Sequence, residues 1–510
     1  MNLLSTPRRI SIALGFSRFL KMLLGLVVLY LSIKYFGTTF ERDSWVLSIG
    51  LWGLMICFLY SPINDTFRTK FIFLRDQNGE ESAMKSVNSL MNLFNLSYLL
   101  VAFLIFIFSD GIISLLAPGF DDGMRDFLSI MIFSLIPFFI FQQHGNILIA
   151  LLNTYDSYFY PEVIILSSSV INILSIIFLS DMLGIYSLVV ATTLNGLLMV
   201  IFLTCMLKHK VASFSLISRE GLRGAAPFVK FSLPMYMNAF CGQIYLFVEK
   251  SLCTHFGEGA VSVFDYARQV ASLPYVVFST IIPIIVTPLL STAFVKGNED
   301  TFSSELRRFS RLFLYFTGFV CVSMCLTAEQ ISYLLFSYKQ EVFIGILGYL
   351  CLAIFCATIT MLCGQALIAR GKVGDYVLAF IAGNLVSIAL SFLWVDALGK
   401  LEYLALFYFI GQFVSSLIIL YKLKIKEKML MIKEYCSVVV SCGLIMSLMM
   451  FFRYQLRGSM LLSEGKIYAV TYMMICVVMV FFLFLCLILL FCPEERSMLR
   501  SLMKRFSKHK

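Results

Sequence analysis

Apolar runs of eighteen or more residues recur along the whole chain, and a run of that length crosses roughly 30 Å of hydrocarbon as a helix. Backbone polar groups cannot stay unpaired in lipid, so only helices or a closed barrel can span it. These runs lack the alternation of barrel strands. Composition agrees: 60% of the 510 residues are hydrophobic and 14% charged, against about half and about a quarter in a soluble domain. The chain reads as an all-α membrane protein of about fourteen transmembrane helices. They are expected over residues 11–36, 45–66, 88–108, 127–152, 161–180, 185–207, 226–250, 260–293, 312–335, 343–367, 375–395, 403–421, 435–452 and 468–492. The first run is too long for a signal h-region and lacks a small-residue cleavage site, so it reads as a retained helix.

The basic residues test this scheme. With a cytoplasmic N-terminus and strict alternation, 27 Lys and Arg fall in inside segments and 7 in outside ones, the asymmetry that orients membrane helices. Both termini are therefore expected on the cytoplasmic side. The net charge of +10 sits in short connections rather than one basic domain, which argues against nucleic acid. The fourteen cysteines are scattered, mostly in apolar stretches, without metal-ligand spacing, and there are only four histidines. The cysteines read as small apolar fillers, and no metal or organic cofactor is expected.

Two segments recur at nearly one separation. Tyr35-Phe36-Gly37 resembles His255-Phe256-Gly257, and Asp110 with Leu115-Leu116 resembles Glu329 with Leu334-Leu335. Each match joins an odd helix to the helix six spans later, which suggests a six-helix unit used twice in the same orientation. Parallel repeats of this kind place a substrate path at their interface. The expected organisation is a six-helix lobe over 1–207, a cytoplasmic linker over 208–225, a second lobe over 226–433, and two further helices with a basic tail over 434–510.

Several stretches resemble a known family. Phe16-Ser17-Arg18, the turn Phe36-Gly37 followed by Asp43, and Leu115-Leu116-Ala117-Pro118-Gly119-Phe120 are among them. So are Gly259-Ala260-Val261-Ser262 with Asp265-Tyr266-Ala267-Arg268 and Leu273-Pro274, and then Pro288-Leu289-Leu290-Ser291. Together they are similar to the MurJ (MviN) lipid II flippases of the multidrug/oligosaccharidyl-lipid/polysaccharide exporter superfamily. The resemblance runs in order over roughly residues 11–300. It implies alternating access, a cationic cavity between two lobes, and an undecaprenyl-diphosphate substrate with a sugar-peptide head. The chain departs from the family pattern in places: Trp52-Gly53-Leu54-Met55-Ile56 replaces a Pro-Asn-Leu-Leu-Arg-Arg-like run, and Gln269 stands where the helix-eight Arg usually lies, one residue after Arg268.

A charge within a span costs about 2.5–3.5 kcal/mol on insertion scales, so each one requires a reason. Arg18 and Lys21, three residues apart on helix one, suit a diphosphate; headgroup snorkelling is the alternative. By family position Arg268 is expected to face the cavity, paired with Asp265 three residues earlier; the alternative is a structural ion pair at the outer edge. Lys230, on the repeat partner of helix one, is either a second-lobe cation or an interfacial anchor. Asp43 and Gln269 join the candidates through the resemblance. Gln143, His144 and Asn146 belong to a polar run expected to interrupt helix four, as interhelical glue or as sugar contacts. Glu249 and Lys250 read as a solvated rim pair, Asn64 and Asp65 as the end of helix two. Asn238, Asn384 and Gln412 are candidate sodium or packing ligands.

No P-loop, nucleophile elbow or metal box is present in the sequence, so an Na⁺ or H⁺ gradient or the membrane potential would have to drive movement. The expected function is a flippase, not an enzyme, carrying undecaprenyl-diphosphate-linked saccharides across a bacterial inner membrane. It would act as a monomer among membrane lipids, or alongside polysaccharide or cell-wall synthesis proteins. The alternative is a multidrug/cation antiporter of the same superfamily, which would favour carboxylates where this chain offers mostly bases.

Overall fold

The computed structural model describes residues 7–207 except 156 and 158, then 219–232, 236–276, 282, 286–456 and 466–491. Regular structure among them is helical throughout. Eleven helical stretches among the described residues are long and apolar enough to cross a bilayer. The chain is thus an all-α, multi-pass membrane protein. The expected spans missing from those eleven are 11–36, which lies within the first helix, and 226–250 and 260–293, both broken by residues outside the description.

In order, the helices are α1 (Pro7–Phe36), α2 (Phe40–Leu59), α3 (Ser61–Asn78), α4 (Glu80–Ile107), α5 (Ser109–Leu116), α6 (Asp122–Ser134) and α7 (Ile136–Thr154). There follow α8 (Phe159–Leu183), α9 (Tyr186–Met206), α10 (Arg219–Ser232), α11 (Tyr236–Cys253), a 3₁₀ turn (Thr254–Phe256) and α12 (Ala260–Ala271). The remainder are α13 (Thr287–Val295), α14 (Glu299–Leu326), α15 (Ala328–Phe336), α16 (Glu341–Ala369), α17 (Val373–Leu398), α18 (Glu402–Lys422), α19 (Ile425–Leu456) and α20 (Lys466–Phe491). Compactness divides the chain into residues 1–265 and 266–510.

In the first unit, the span expected over 45–66 ends early. The helix stops at Tyr60, and Pro62 occupies the first turn of a new helix, α3, where a missing N–H costs nothing. Asn64 therefore lies inside α3, accepting a hydrogen bond from the Tyr60 hydroxyl at 3.0 Å, and does not end helix two; the side chain of Asp65 lies outside the described residues. Ile63, Phe67, Phe71 and Leu74 recur at helical spacing and are buried, while Arg68 and Asp76 stay exposed. This amphipathic stripe packs on α4, α7 and α10, with Phe67 stacked 5.1 Å from Phe228.

The span expected over 127–152 is likewise two helices, broken at Leu135 with Pro137 opening α7. Pro137, two residues after Leu135, has no N–H to continue the preceding helix and sits in the first turn of α7, where that N–H is not needed. Continuous helix then runs through Gln142–Asn146; the polar run does not interrupt it. Trp52 of α2 is fully buried, donates its indole N–H to the Ile132 carbonyl at 3.0 Å, and lies 4.5 Å from the Phe139 ring. Away from this core, α4 exposes Leu99, Leu100, Phe103 and Phe106, an apolar surface suited to lipid.

In the second unit, α16 is buried along most of its length between α14 and α18. Helices α17 and α18 touch through small residues: a Cβ on Gly383 would lie 2.6 Å from the Gly411 carbonyl oxygen. Such contacts let membrane helices pack by dispersion at short range. Residues 299–311 and 425–433, expected as connections, are the first turns of α14 and α19. Ion pairs join these turns or the residues beside them, Lys424 with Glu299, Lys426 with Asp300, and Glu434 with Arg307 and Arg311.

Candidate functional site

Charge gathers in the first unit where α2 begins and α11 ends. Helix α2 is capped by Thr39, whose hydroxyl accepts from the Arg42 amide, so its first turn presents Arg42 and Asp43 inward. Asp43 is fully buried. Its carboxylate accepts the backbone N–H of Gly259 at 2.7 Å, the N–H of Ser262 at 2.6 Å and the Ser262 hydroxyl at 2.5 Å. It thereby caps α12, where orphan N–H groups and the helix dipole favour an anion. Gly259 has φ +82°, and a Cβ there would meet the Thr38 carbonyl oxygen at 2.5 Å; only glycine fits this approach. The sequence signal was Asp43 itself, but its partners lie more than 200 residues away.

Arg42, 3% exposed, lies over the Trp45 ring at 4.6 Å and pairs with Asp265 at 3.4 Å. Lys250 reaches the same carboxylate from α11, at 3.9 Å. Its neighbour Glu249 is buried and accepts the Tyr245 hydroxyl at 2.5 Å. The two residues point apart and do not form a solvated rim pair, because adjacent positions on a helix face different directions. The end of α5 and the chain leading to α6 are pinned to the same place: Gly119 donates to Thr254 Oγ1 at 3.1 Å and Ser251 donates to the Leu115 carbonyl at 2.6 Å.

The other expected residues of this unit are dispersed. Arg18 belongs to α1, with its side chain outside the description; Lys21 on the same helix is exposed, as is Lys230 on α10. On α7, Gln143 is fully buried and neither end of its amide has a hydrogen-bond partner among the described residues. His144 meets the Ile140 carbonyl through Nδ1 at 3.3 Å, and Asn146 accepts from the Gln142 amide at 3.1 Å. Asn238 has a side chain outside the described residues.

In the second unit, Arg268 of α12 lies 4.6 Å over the Tyr408 ring of α18, and Gln269 beside it is exposed. Half-buried Tyr275 and Tyr376 pack against the core of the same unit. These three tyrosines were not singled out in the sequence; tyrosine is too common in membrane helices to carry a signal. An arginine lying over a phenol ring offers donors and an aromatic face to an anion or a sugar. Asn384 and Gln412 are buried, and the Asn384 Nδ2 has no hydrogen-bond partner among the described residues.

Unit two also holds ion pairs that sequence reading missed. Glu434 of α19 accepts from Arg307 and Arg311 of α14, each at 2.9 Å. Arg370, at the end of α16, pairs with Glu299 at 2.6 Å and with Glu427, and lies 4.4 Å over Phe302. No group of His, Cys, Asp and Glu able to hold a metal occurs among the described residues.

These features define a multi-pass helical membrane protein with buried charge at its helix ends. The profile of one family, described as lipid II flippase MurJ, matches residues 32–340. A probable lipid II flippase MurJ of Aquifex aeolicus (strain VF5) is 29% identical over 227 residues, 42% of this chain and 43% of that protein. One from Rickettsia prowazekii (strain Madrid E) is 25% identical over 306 residues, 59% of each. The chain thus aligns with about half the length of these relatives. Among solved structures, a lipid II flippase MurJ in an inward closed conformation superposes with a TM-score of 0.75 at 20% identity, covering 94% of this chain and 99% of that one. An inward-facing multidrug resistance MATE family transporter of the MOP superfamily gives 0.63 at 17% identity, covering 82% and 95%. At those identities the likeness is one of fold. The chain belongs to the MurJ family.

Proposed function

We propose that this protein is an alternating-access flippase that moves undecaprenyl-diphosphate-linked saccharide precursors from the cytoplasmic to the periplasmic leaflet of a bacterial inner membrane, with lipid II as the substrate. It is a transporter and not an enzyme. The observation that carries the reading is the family match over residues 32–340, a stretch that includes the Asp43 cradle, Lys250 and Arg268. The names borne by the relatives point the same way. The chemistry is compatible: a diphosphate carries fixed negative charge, and the basic candidates Arg18, Lys21, Lys230 and Arg268 outnumber carboxylates among the residues singled out for binding. Transport is coupled to Na⁺, to H⁺ or to the membrane potential, the last supplying about 2.3 kcal/mol per charge per 100 mV.

Depletion of the protein followed by analysis of lipid-linked intermediates tests the reading. The expected result is accumulation of an undecaprenyl-diphosphate species in the cytoplasmic leaflet with the lipid II head group. Accumulation of a different glycan would replace lipid II as substrate, and no accumulation would overturn the flippase reading.

A further inference from the structure

A pocket of about 170 Å³ opens between α2 and α11, entirely within the first unit. Its walls are Leu47, Ile49, Leu116, Leu246 and Phe247, and its polar side chains among the described residues are Gln243 and Lys250. The two sit seven residues apart on α11, two turns along one face. Two glycines of α2 shape the cavity. A Cβ at Gly50 would lie 3.2 Å from the Lys250 stem, so glycine lets that stem cross α2; a Cβ at Gly53 would meet nothing within 4 Å, which marks the open volume.

The ammonium is poorly satisfied where it stands. It donates to the Val46 carbonyl at 3.5 Å and lies 3.9 Å from Asp265, whose other oxygen faces Arg42. An ammonium has three donors and forms charge-assisted bonds at about 2.7–2.9 Å, so Lys250 retains capacity for an acceptor. The Gln243 amide has no hydrogen-bond partner among the described residues. One cation and one amide among apolar walls match a monoanion with a short hydrocarbon neighbour. A diphosphate would need more donors. At about 30 Å³ per water-sized group, the pocket holds roughly five or six non-hydrogen atoms, enough for a carboxylate, the carbon bearing it and a methyl group.

We propose that this pocket is a subsite for a small carboxylate, gripped by the Lys250 ammonium and the Gln243 amide with Gly53 providing the space. Resting on the function proposed above, we assign that carboxylate to the peptide of the substrate's head group. The subsite makes the protein read the peptide as well as the diphosphate.

The test uses the full chain in lipid nanodiscs and two probes, lipid II with free peptide carboxylates and the same lipid with those carboxylates amidated. Wild type is expected to bind the free form about tenfold more tightly, the size of one charge-assisted contact. Lys250→Met and Gly53→Leu should each reduce that preference below about twofold while leaving the amidated probe's affinity unchanged. Gly53→Leu occupies open space, and thermal unfolding reports whether it is folded; Lys250→Met, of similar length, stands independently of it. A tenfold preference retained in Lys250→Met, or no preference in wild type, overturns the subsite and leaves the flippase reading intact. Loss of the preference on adding phosphatidylserine would assign the pocket to a membrane lipid and overturn the head-group assignment. Folded wild type that binds neither probe overturns the flippase reading together with this one.

Discussion

The two units bury charge in opposite ways. In the first, Asp43 is neutralised largely by backbone: two N–H groups and a hydroxyl at the start of α12 surround it. In the second, charge meets charge, with Glu434 between Arg307 and Arg311 and Arg370 between Glu299 and Glu427. A carboxylate held by a helix end fixes where that helix begins and leaves neighbouring cations such as Lys250 under-coordinated. A closed ion-pair network leaves little capacity for a ligand and fastens α14, α16 and α19 to one another. The comparison fits the ligand chemistry proposed for the first cluster and structural fastening by the second.

The largest expected effect is on the second cluster. Glu434→Ala leaves Arg311, whose side chain is 6% exposed, buried without its carboxylate, and should destabilise by about 3–5 kcal/mol, read as a lowered unfolding temperature in detergent. Replacing Arg307, Arg311 and Glu434 together by apolar residues should recover most of that loss, since a buried network often gives little net stability. Failure to recover would mean the network does more than fasten helices.

Next is Asp43→Asn, which turns an NH₂ toward backbone donors. It should cost roughly 2–3 kcal/mol, the range for bonds to a charged acceptor, and should abolish complementation of a depleted strain. Ser262→Ala removes one of the three bonds and keeps both backbone contacts, so about 1 kcal/mol is expected. If Ser262→Ala proved as damaging as Asp43→Asn, the hydroxyl and not the helix end would be holding the carboxylate. At the lower end, Lys426→Ala breaks only a solvent-exposed pair with Asp300 and should leave the unfolding temperature unchanged.

How much of this was legible depended on the kind of signal. Helices α4, α8, α9, α16, α17, α18 and α20 are continuous apolar runs, and length alone reveals such spans. Helix α3 falls partly in the expected second span, which runs to residue 66, and partly in a connection, because its apolar stripe of Ile63, Phe67, Phe71 and Leu74 alternates with polar residues, which lowers mean hydropathy without preventing a helix. The breaks at Tyr60, Leu135 and Thr327 fall inside apolar sequence, where hydropathy has no resolution. At the site, Asp43 was visible through the family resemblance, but the pairing of its carboxylate with Gly259 and Ser262 is a tertiary fact. Glu249 beside Lys250 looked solvated because two adjacent charges usually are; the helical turn between them sends one into the core beside Tyr245 and the other across α2.

The central claim is tested most directly in proteoliposomes containing the purified protein and fluorescent lipid II initially confined to one leaflet. The account predicts that the head group becomes accessible to an impermeant reagent on the opposite side only when protein is present, and that Arg268→Ala abolishes the movement. Folded wild-type protein that leaves lipid II on its original leaflet, with an ion gradient and a membrane potential both imposed, would contradict it.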